Sequence, residues 1–207
     1  MKIYSHTQTN NFNGIPVIKT VLQKQVCKNT FRPIDAFVYF MEKADLTRAG
    51  MDNPAWGESK YGANILYDAA EKLGNPFKKT SERFLFIEVP QEMDYCKVKA
   101  LSSIFVDAQQ VRGGSLQSLR PHECLEPIKG AGLMVLYTMT KIAEKLKKAQ
   151  VYLTSRANDD TVNFYRRSGM IEGKNNAFML PSDMFRTFQQ KIEERFPVLK
   201  IFEENIN

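Results

Sequence analysis

PIKGAGLMVLYTMTKIAEKLKKAQVYLTSRANDDTVNFYRRSGM, residues 127–170, is the stretch of sequence that decides the fold. Two glycines, Gly130 and Gly132, stand just before its strongest helical pattern. Glycines at such a point let backbone N–H groups converge beside the positive end of a helix dipole, which suits a diphosphate. Neither a P-loop nor a complete GxGxxG fingerprint is present, so an ordinary tight turn is the alternative interpretation of these two glycines.

The helix after this loop has an apolar stripe at helical spacing and is the clearest helix of the sequence. The stripe consists of Val135, Met139, Ile142 and Leu146, widened by Leu136 and Ala143. Residues 151–155 (VYLTS) then predict a strand, and residues 159–168 predict a short helix that ends at Gly169. A last helix is predicted from Ser182 to Phe196, because Pro197 cannot continue it.

The first part of the chain mixes strand and helix patterns. Ile15 to Val26 favours a first strand. From Pro33 a helix is predicted by apolar residues at helical spacing: Ile34, Phe37, Val38 and Met41. A second helix is predicted from a cap at Ser59 to a stop at Gly74. Its expected buried stripe is Ile65, Leu66, Ala69 and Leu73.

The middle of the chain favours strands. Residues 83–90 and 95–107 are short apolar or alternating runs bounded by turn residues. Residues 109–115 (QQVRGGS) predict a glycine-rich hairpin turn, and residues 115–127 a strand interrupted at Pro121. This order predicts an α+β fold of three layers, with a mixed, largely antiparallel twisted sheet flanked by helices.

Composition limits the classes of protein to which the chain can belong. Of its 207 residues, 43% are hydrophobic and 25% charged, which permits a real core and argues against wholesale disorder. The net charge of +6 favours an anionic partner without choosing among cofactor, nucleic acid and acidic protein. No apolar run is long enough to span a membrane, and the N-terminus lacks a secretory pattern, so a cytoplasmic protein is expected.

Cysteine and histidine usage indicates neither a disulfide framework nor a metal site. The three cysteines, Cys27, Cys96 and Cys124, are far apart and contain no CxxC pair. The two histidines, His6 and His122, form no ligand cluster with them. A structural zinc site is therefore not expected.

Two motifs at a fixed distance resemble those of the GNAT superfamily of acyl-CoA N-acyltransferases. The family's pyrophosphate loop, Q/R-x-x-G-x-G/A, is similar to Pro127-Ile128-Lys129-Gly130-Ala131-Gly132, with proline in the first position. A later family pattern, N-x-x-A-x-x-F-Y-x-x-x-G-F, resembles residues 158–170, NDDTVNFYRRSGM, with Thr161 and Met170 in place of alanine and phenylalanine. A rival register of the loop at residues 110–115, QVRGGS, lacks an uninterrupted helix after it.

The resemblance implies an enzyme that transfers an acyl group, expected to be acetyl, from acyl-CoA to a primary amine by direct attack. It implies Tyr165 as the acid that protonates the leaving thiolate. Glu123 and Glu126 are its candidates for the base, and His122 is a further one before the loop. The residues that it implies for acyl-CoA binding are Ile128, Lys129, Gly130, Ala131, Gly132, Leu133, Asn158 and Tyr165. The alternative is a catalytically inactive binding module on the same fold.

The resemblance also implies how the chain is organised. Residues 1–207 would form one GNAT-like domain, made of a divergent helical part (1–80), an acyl-CoA-binding core (84–180) and a C-terminal helical extension (181–207). Acetyl-CoA would be a co-substrate, and no metal is expected. The acceptor could be a small molecule, a protein or an aminoacyl-tRNA, no membrane partner is expected, and a homodimer is left open.

Overall fold

The computed structural model describes residues 14–46, 60–75, 81–92, 97–118, 127–155 and 159–206. The strands β1 to β10 within these residues are Ile15–Cys27, Thr30–Phe40, Glu82–Glu88, Val98–Val106, Gln110–Ser118, Ile128–Lys129, Gln150–Thr154, Ile171–Glu172, Ala177–Pro181 and Val198–Ile201. The helices α1 to α4 are Lys60–Gly74, Ala131–Lys145, Asp159–Arg167 and Phe185–Glu193.

The strands form one sheet between two layers of helices. Their order is β10-β1-β2-β3-β4-β5-β7-β9-β8, and β6 pairs with β1 outside this path. β5 and β7 run parallel, whereas the other paired strands are antiparallel. Helices α2, α3 and α4 share one hydrophobic core with one face of the sheet, and α1 forms a second core on the other face. The structure therefore has the predicted fold class, a mixed and largely antiparallel sheet flanked by helices.

Helix α2 lies at the centre of the larger core. Most of its residues from Ala131 to Ala143 are buried, because the sheet covers one side and α4 covers another. The fully buried Tyr137 donates a hydrogen bond of 2.5 Å from its hydroxyl to the Glu193 carboxylate at the end of α4. Gln189 of α4 donates to the hydroxyl of Thr140 at 3.2 Å. These bonds fix the C-terminal helix on α2.

The helix predicted from Pro33 is wrong, since this segment is strand β2. Pro33 pairs in register with Gln23 of β1. Alternate residues enter the larger core on one face, namely Ile34, Ala36, Val38 and Phe40. Because both faces of this strand carry apolar side chains, its sequence also satisfies helical spacing. The described part of the region predicted as helical (1–80) is thus a β-hairpin followed by α1.

The glycine-rich hairpin turn predicted at residues 109–115 is also wrong, because most of this segment lies within β5. The turn is shorter and comes earlier, with the Asp107 N–H bonded to the Gln110 carbonyl at 2.9 Å. Gly113 lies within the strand, where a Cβ would lie 2.0 Å from Cδ2 of Leu153, so a glycine fits there and a larger residue does not. A close approach between strands, rather than a turn, accounts for this glycine.

Of the strand predicted at 115–127, residues 115–118 lie in β5, and residues 119–126 lie outside the described residues, as does the predicted cap Ser59. The remaining predicted elements are confirmed. They are the first strand, the helix ending at Gly74, the strands at 83–90 and 95–107, the helix after Gly130, the strand at 151–155, the short helix from Asp159 and the last helix. The short strands β6, β8, β9 and β10 were not predicted, so the C-terminal extension (181–207) contains a strand as well as a helix. No helix among the described residues is long and apolar enough to span a bilayer.

We expect Tyr137→Phe to lower the free energy of unfolding by about 1–2 kcal/mol, because it removes a hydrogen bond to a carboxylate. Urea denaturation measures this loss. Tyr152→Phe is the matched control, since among the described residues the half-buried Tyr152 hydroxyl has no hydrogen-bond partner. Equal stability of the two variants would contradict a role for the Tyr137–Glu193 bond.

Candidate functional site

The only parallel pair among the described strands separates part of the way along its length. β5 and β7 are in register from Gln110–Gln150 to Gly113–Leu153. β5 then continues to Ser118 without pairing with β7, whereas the end of β7 stays paired with β9. An opening therefore forms between two central strands, bordered on one side by residues 114–118.

A β-bulge lies in β5 where the two strands part. Ile104 of β4 pairs with Gly113 and Ser102 pairs with Leu116, so β5 has one residue more than β4 in this interval. The Ser115 N–H donates to the Ser103 hydroxyl at 3.1 Å, and the Ser102 hydroxyl donates to the Ser115 carbonyl at 2.9 Å. Bulges bend a strand and redirect its backbone groups, and they are common beside active sites.

Helix α2 begins beside this opening, at the predicted phosphate loop. Gly130 precedes the helix with φ 106°, a left-handed conformation that favours glycine. The first intrahelical bond of this turn runs from the Met134 N–H to the Gly130 carbonyl at 2.8 Å. The N–H groups of residues 131–133 precede that bond and have no partner inside the helix. A Cβ on Gly130 would lie 2.5 Å from the ring of the buried Phe196, so the C-terminal segment supports the loop from behind.

Three separate elements meet at Gly132. A Cβ at this position would lie 3.2 Å from Cζ of Phe164 in α3 and 3.5 Å from the hydroxyl oxygen of Ser118 at the end of β5. The first predicted motif, the second predicted motif and the end of β5 that does not pair with β7 thus lie together. This juxtaposition defines the candidate site.

Tyr165 lies at the level where the strands part. Its ring is 5.1 Å from that of Phe178 and 5.2 Å from that of Phe164. Phe178 pairs with Leu153, the last residue of β7 in register with β5. Burial alone raises the pKa of Tyr165 to about 12, and within the described residues its hydroxyl has no hydrogen-bond partner. The phenol therefore stays protonated at neutral pH and has a proton to donate.

A buried charge cluster lies next to the loop. Lys24, which pairs in register with Ile128, forms an ion pair with Glu92, and the Lys99 ammonium lies 3.1 Å from the same carboxylate. Although burial opposes it, hydrogen bonds from the two lysines keep the pKa of Glu92 below its ordinary value. One carboxylate thus lies between two buried lysines beside the loop.

On the opposite face of the sheet, Glu88 ends β3 as an almost completely buried carboxyl. Burial is the main cause that raises its pKa to about 7, and Asp45 adds to it, whereas Lys97 and a hydrogen bond from Tyr39 act against it. The pairing of Glu88 with Val98 puts the carboxyl at the same end of the sheet as the opening. Sequence reasoning missed Glu88, although a carboxylate directly after the apolar run FLFI was a visible signal.

The structure places only some of the predicted site residues. Ile128 and Lys129 form β6, and the Lys129 ammonium lies 4.0 Å from the centre of the Phe31 ring. Glu123, Glu126 and Asn158, like His122, lie outside the described residues. Among the described residues, no group of three His, Cys, Asp or Glu side chains is placed to hold a metal ion.

Comparison with known proteins relates the fold to solved structures. No protein-family model and no curated protein matches the chain. An acetyltransferase of the GNAT family from Staphylococcus aureus Mu50 superposes with a TM-score of 0.50 at 10% identity, over 71% of this chain and 99% of its own. Mutant forms of the spermidine/spermine N-acetyltransferase SpeG from Vibrio cholerae superpose with a TM-score of 0.49 at 11% identity, over 73% of this chain and 98% of their own. AtaTR bound with AcCoA superposes with a TM-score of 0.49 at 12% identity, over 73% of this chain and 96% of its own.

The match to the staphylococcal structure, which spans nearly all of that protein, shows that the chain has the GNAT fold. At this low identity the likeness concerns the fold alone. The resemblance found in the two sequence motifs is thus confirmed for the fold.

We expect Gly130→Ala to destabilise the protein more than Gly169→Ala. Both glycines have positive φ, but a Cβ on Gly169 would meet no atom within 4 Å. Gly169→Ala should therefore cost only the left-handed strain, about 1–2 kcal/mol. Gly130→Ala should cost about 1–3 kcal/mol more, because the methyl group overlaps the Phe196 ring. Thermal unfolding measures both, and equal losses would show that the ring moves aside without cost.

We expect Glu88→Gln to change how stability depends on pH. Between pH 4.5 and about 7 the folded wild type holds a proton on Glu88 that the unfolded chain has lost. Wild-type stability should therefore fall as pH rises through this window and level off above it. Glutamine removes this decline, so the variant should gain stability relative to wild type from pH 5 to pH 8. Urea midpoints at each pH measure this gain, with Glu71→Gln at an exposed position as the control. A difference in stability between Glu88→Gln and wild type that does not change with pH would contradict the raised pKa of Glu88.

Proposed function

We propose that the protein is an acyl-CoA N-acyltransferase that transfers an acyl group, expected to be acetyl, directly to a primary amine. The single observation that carries this proposal is the opening between β5 and β7, with the start of α2 and Tyr165 at its edge. The GNAT fold of the chain supports the same reaction class. Fold alone does not determine function, so the proposal depends on the chemistry of this opening.

The opening fits the parts of an acyl-CoA molecule. Residues 114–118 of β5 have polar backbone groups that a neighbouring strand would otherwise bind. The pantetheine arm is extended and contains amides, so it can take the place of a strand there. The N–H groups of Ala131, Gly132 and Leu133, which have no partner inside the helix, and the helix dipole suit the diphosphate. Lys129 adds a positive charge beside them.

Tyr165 fits the role of the acid in this reaction. The amine nitrogen bonds to the thioester carbon, an oxyanion forms, and the C–S bond then breaks to release a thiolate. With a pKa of about 12, the neutral Tyr165 hydroxyl can give its proton to that sulfur. Because the Ser115 N–H is bonded to the Ser103 hydroxyl, the backbone N–H of Gly114 is the candidate donor to the oxyanion at the β5 bulge.

The acceptor side is proposed to lie on the face of the sheet that bears α1. Glu88 is a buried carboxyl on this face, and its pKa of about 7 suits a group that binds an ammonium or accepts its proton through water. Glu123 and Glu126 stay candidates for the base. The acceptor could be a small amine, a protein amine or an aminoacyl-tRNA, and the net charge of +6 favours an anionic one. A cytoplasmic location and a homodimer stay predictions.

We expect CoA and acetyl-CoA to raise the melting temperature by several degrees, because ligand at 100 times its Kd adds about 2.7 kcal/mol. Tyr165→Phe should then lower kcat by about a hundredfold, since an acid is lost, while the Kd for CoA changes by less than about twofold. Differential scanning fluorimetry and assays with amines, peptides and charged tRNAs measure the two effects. Tyr67→Phe, whose ring is 70% exposed on α1, is the control.

Each contrary result has its own meaning. Absence of a thermal shift at millimolar CoA would refute the proposed function. Binding without turnover of any acceptor would favour the inactive binding module. A Tyr165→Phe variant that loses affinity and turnover equally would show that Tyr165 only supports the fold.

A further inference from the structure

The β5 bulge is bonded to two side chains of the neighbouring strand β4. Gly114 and Ser115 of the bulge lie opposite a single residue of β4, Ser103. The Ser115 N–H donates to the Ser103 hydroxyl at 3.1 Å, and the Ser115 carbonyl accepts a hydrogen bond of 2.9 Å from the Ser102 hydroxyl. Because a bulge disrupts the ladder locally, these hydroxyls take the place of the backbone groups that would otherwise bind Ser115.

The two hydroxyls reach Ser115 from opposite faces of the sheet. Successive side chains of a strand point to opposite faces. Ala100 packs in the larger core and Leu101 in the second one, so Ser102 lies on the face of α2 and Ser103 on the face of α1. Both serines are buried, with 1% and 4% of their surface exposed. Ser115 is thus held through both of its backbone polar groups, by hydroxyls that water does not reach.

Gly114, the other residue of the bulge, directly borders the Ser103 hydroxyl. A Cβ on Gly114 would lie 2.4 Å from Oγ of Ser103 and 2.9 Å from Cε2 of Phe105. The hydroxyl therefore occupies the space that a side chain at position 114 would need. Gly114 is exposed, whereas Gly113 before it is buried. A ligand in the opening can thus contact the backbone of Gly114, while Ser103 lies beneath it.

We propose that Ser102 and Ser103 are positioning residues for acyl transfer: by holding Ser115, they fix the Gly114 N–H where the oxyanion forms. The inference rests on the proposed function, in which attack by the amine moves the carbonyl electron pair of the thioester onto oxygen. A donor stabilises this oxyanion most when its direction is fixed before the reaction. Glycine has more backbone freedom than other residues, so Gly114 depends on such a restraint.

Steady-state kinetics with acetyl-CoA and the preferred amine of the wild type test the inference in Ser102→Ala and Ser103→Ala. We expect each variant to lower kcat about tenfold or more, because a small misplacement of a preorganised donor removes much of its effect. The Kd for CoA, measured by calorimetry, should stay within about twofold of wild type. In the double variant kcat should fall by less than the product of the two single effects, because both hydroxyls hold the same residue.

Amide hydrogen exchange measures the restraint itself, independently of turnover. The Ser115 N–H should exchange about tenfold or more faster in Ser103→Ala than in wild type, because its bond is lost. Thr20→Val is the matched control. The buried Thr20 hydroxyl donates to the Pro197 carbonyl at 3.0 Å, and three strands separate β1 from β5. This variant should lose thermal stability, as the serine variants do, but keep the wild-type kcat and the wild-type exchange of Ser115.

The contrary results separate this inference from the proposed function. A wild-type kcat in Ser103→Ala, or an unchanged exchange rate of Ser115 in that variant, would overturn the inference and leave the proposed function intact. An equal loss of kcat in Thr20→Val would do the same, since any loss of stability would then slow turnover. Absence of turnover by the wild type with every amine would overturn the proposed function and this inference with it.

Discussion

The point where β5 and β7 stop pairing is the constraint on which the rest of the site depends. Leu153 occupies the space that a side chain on Gly113 would fill, and these two residues are the last pair of β5 and β7 in register. Directly after Gly113 the bulge gives β5 an extra residue and bends it. The opening thus begins where a leucine, a glycine and a bulge coincide. A residue with a larger side chain at 113 would move the two strands apart before this point.

The position of α2 follows from the chain order, since this helix lies between the C-terminal end of β5 and the N-terminal end of β7. Its N-terminus therefore lies at the open end of the strand pair, and its C-terminus lies where the strands are still paired. The C-terminal segment then holds α2 in place through Tyr137 and Glu193. Phe196 packs against Gly130 from the same segment. A stretch that the motifs did not identify as functional thus orients the proposed phosphate loop.

The sequence predicted those elements of the candidate site whose signals are local. The stripe of α2, the paired glycines and the aromatic pair Phe164-Tyr165 can be read within one or two turns of chain, and these elements were found in place. The first part of β5 was missed because the reason for Gly113 is Leu153, a residue 40 positions away. β2 was missed because a strand with two apolar faces also fits helical spacing. Local patterns do not distinguish such cases, whereas sheet pairing does.

Two buried ionisable groups lie on opposite faces of the sheet, and burial acts on them in ways that suit different roles. Removing a phenol from water favours its neutral form, so Tyr165 keeps a proton that it can give. Removing a carboxyl from water also favours its neutral form. Because the ordinary pKa of a carboxyl is low, burial raises the pKa of Glu88 only to about 7. At neutral pH the Tyr165 hydroxyl is therefore protonated and the Glu88 carboxyl is half ionised. A neutral phenol thus lies on the face of α2 and a half-ionised carboxyl on the face of α1. In the proposed reaction the opening is the passage between them, so an amine can approach from one face while the thiolate leaves toward the other.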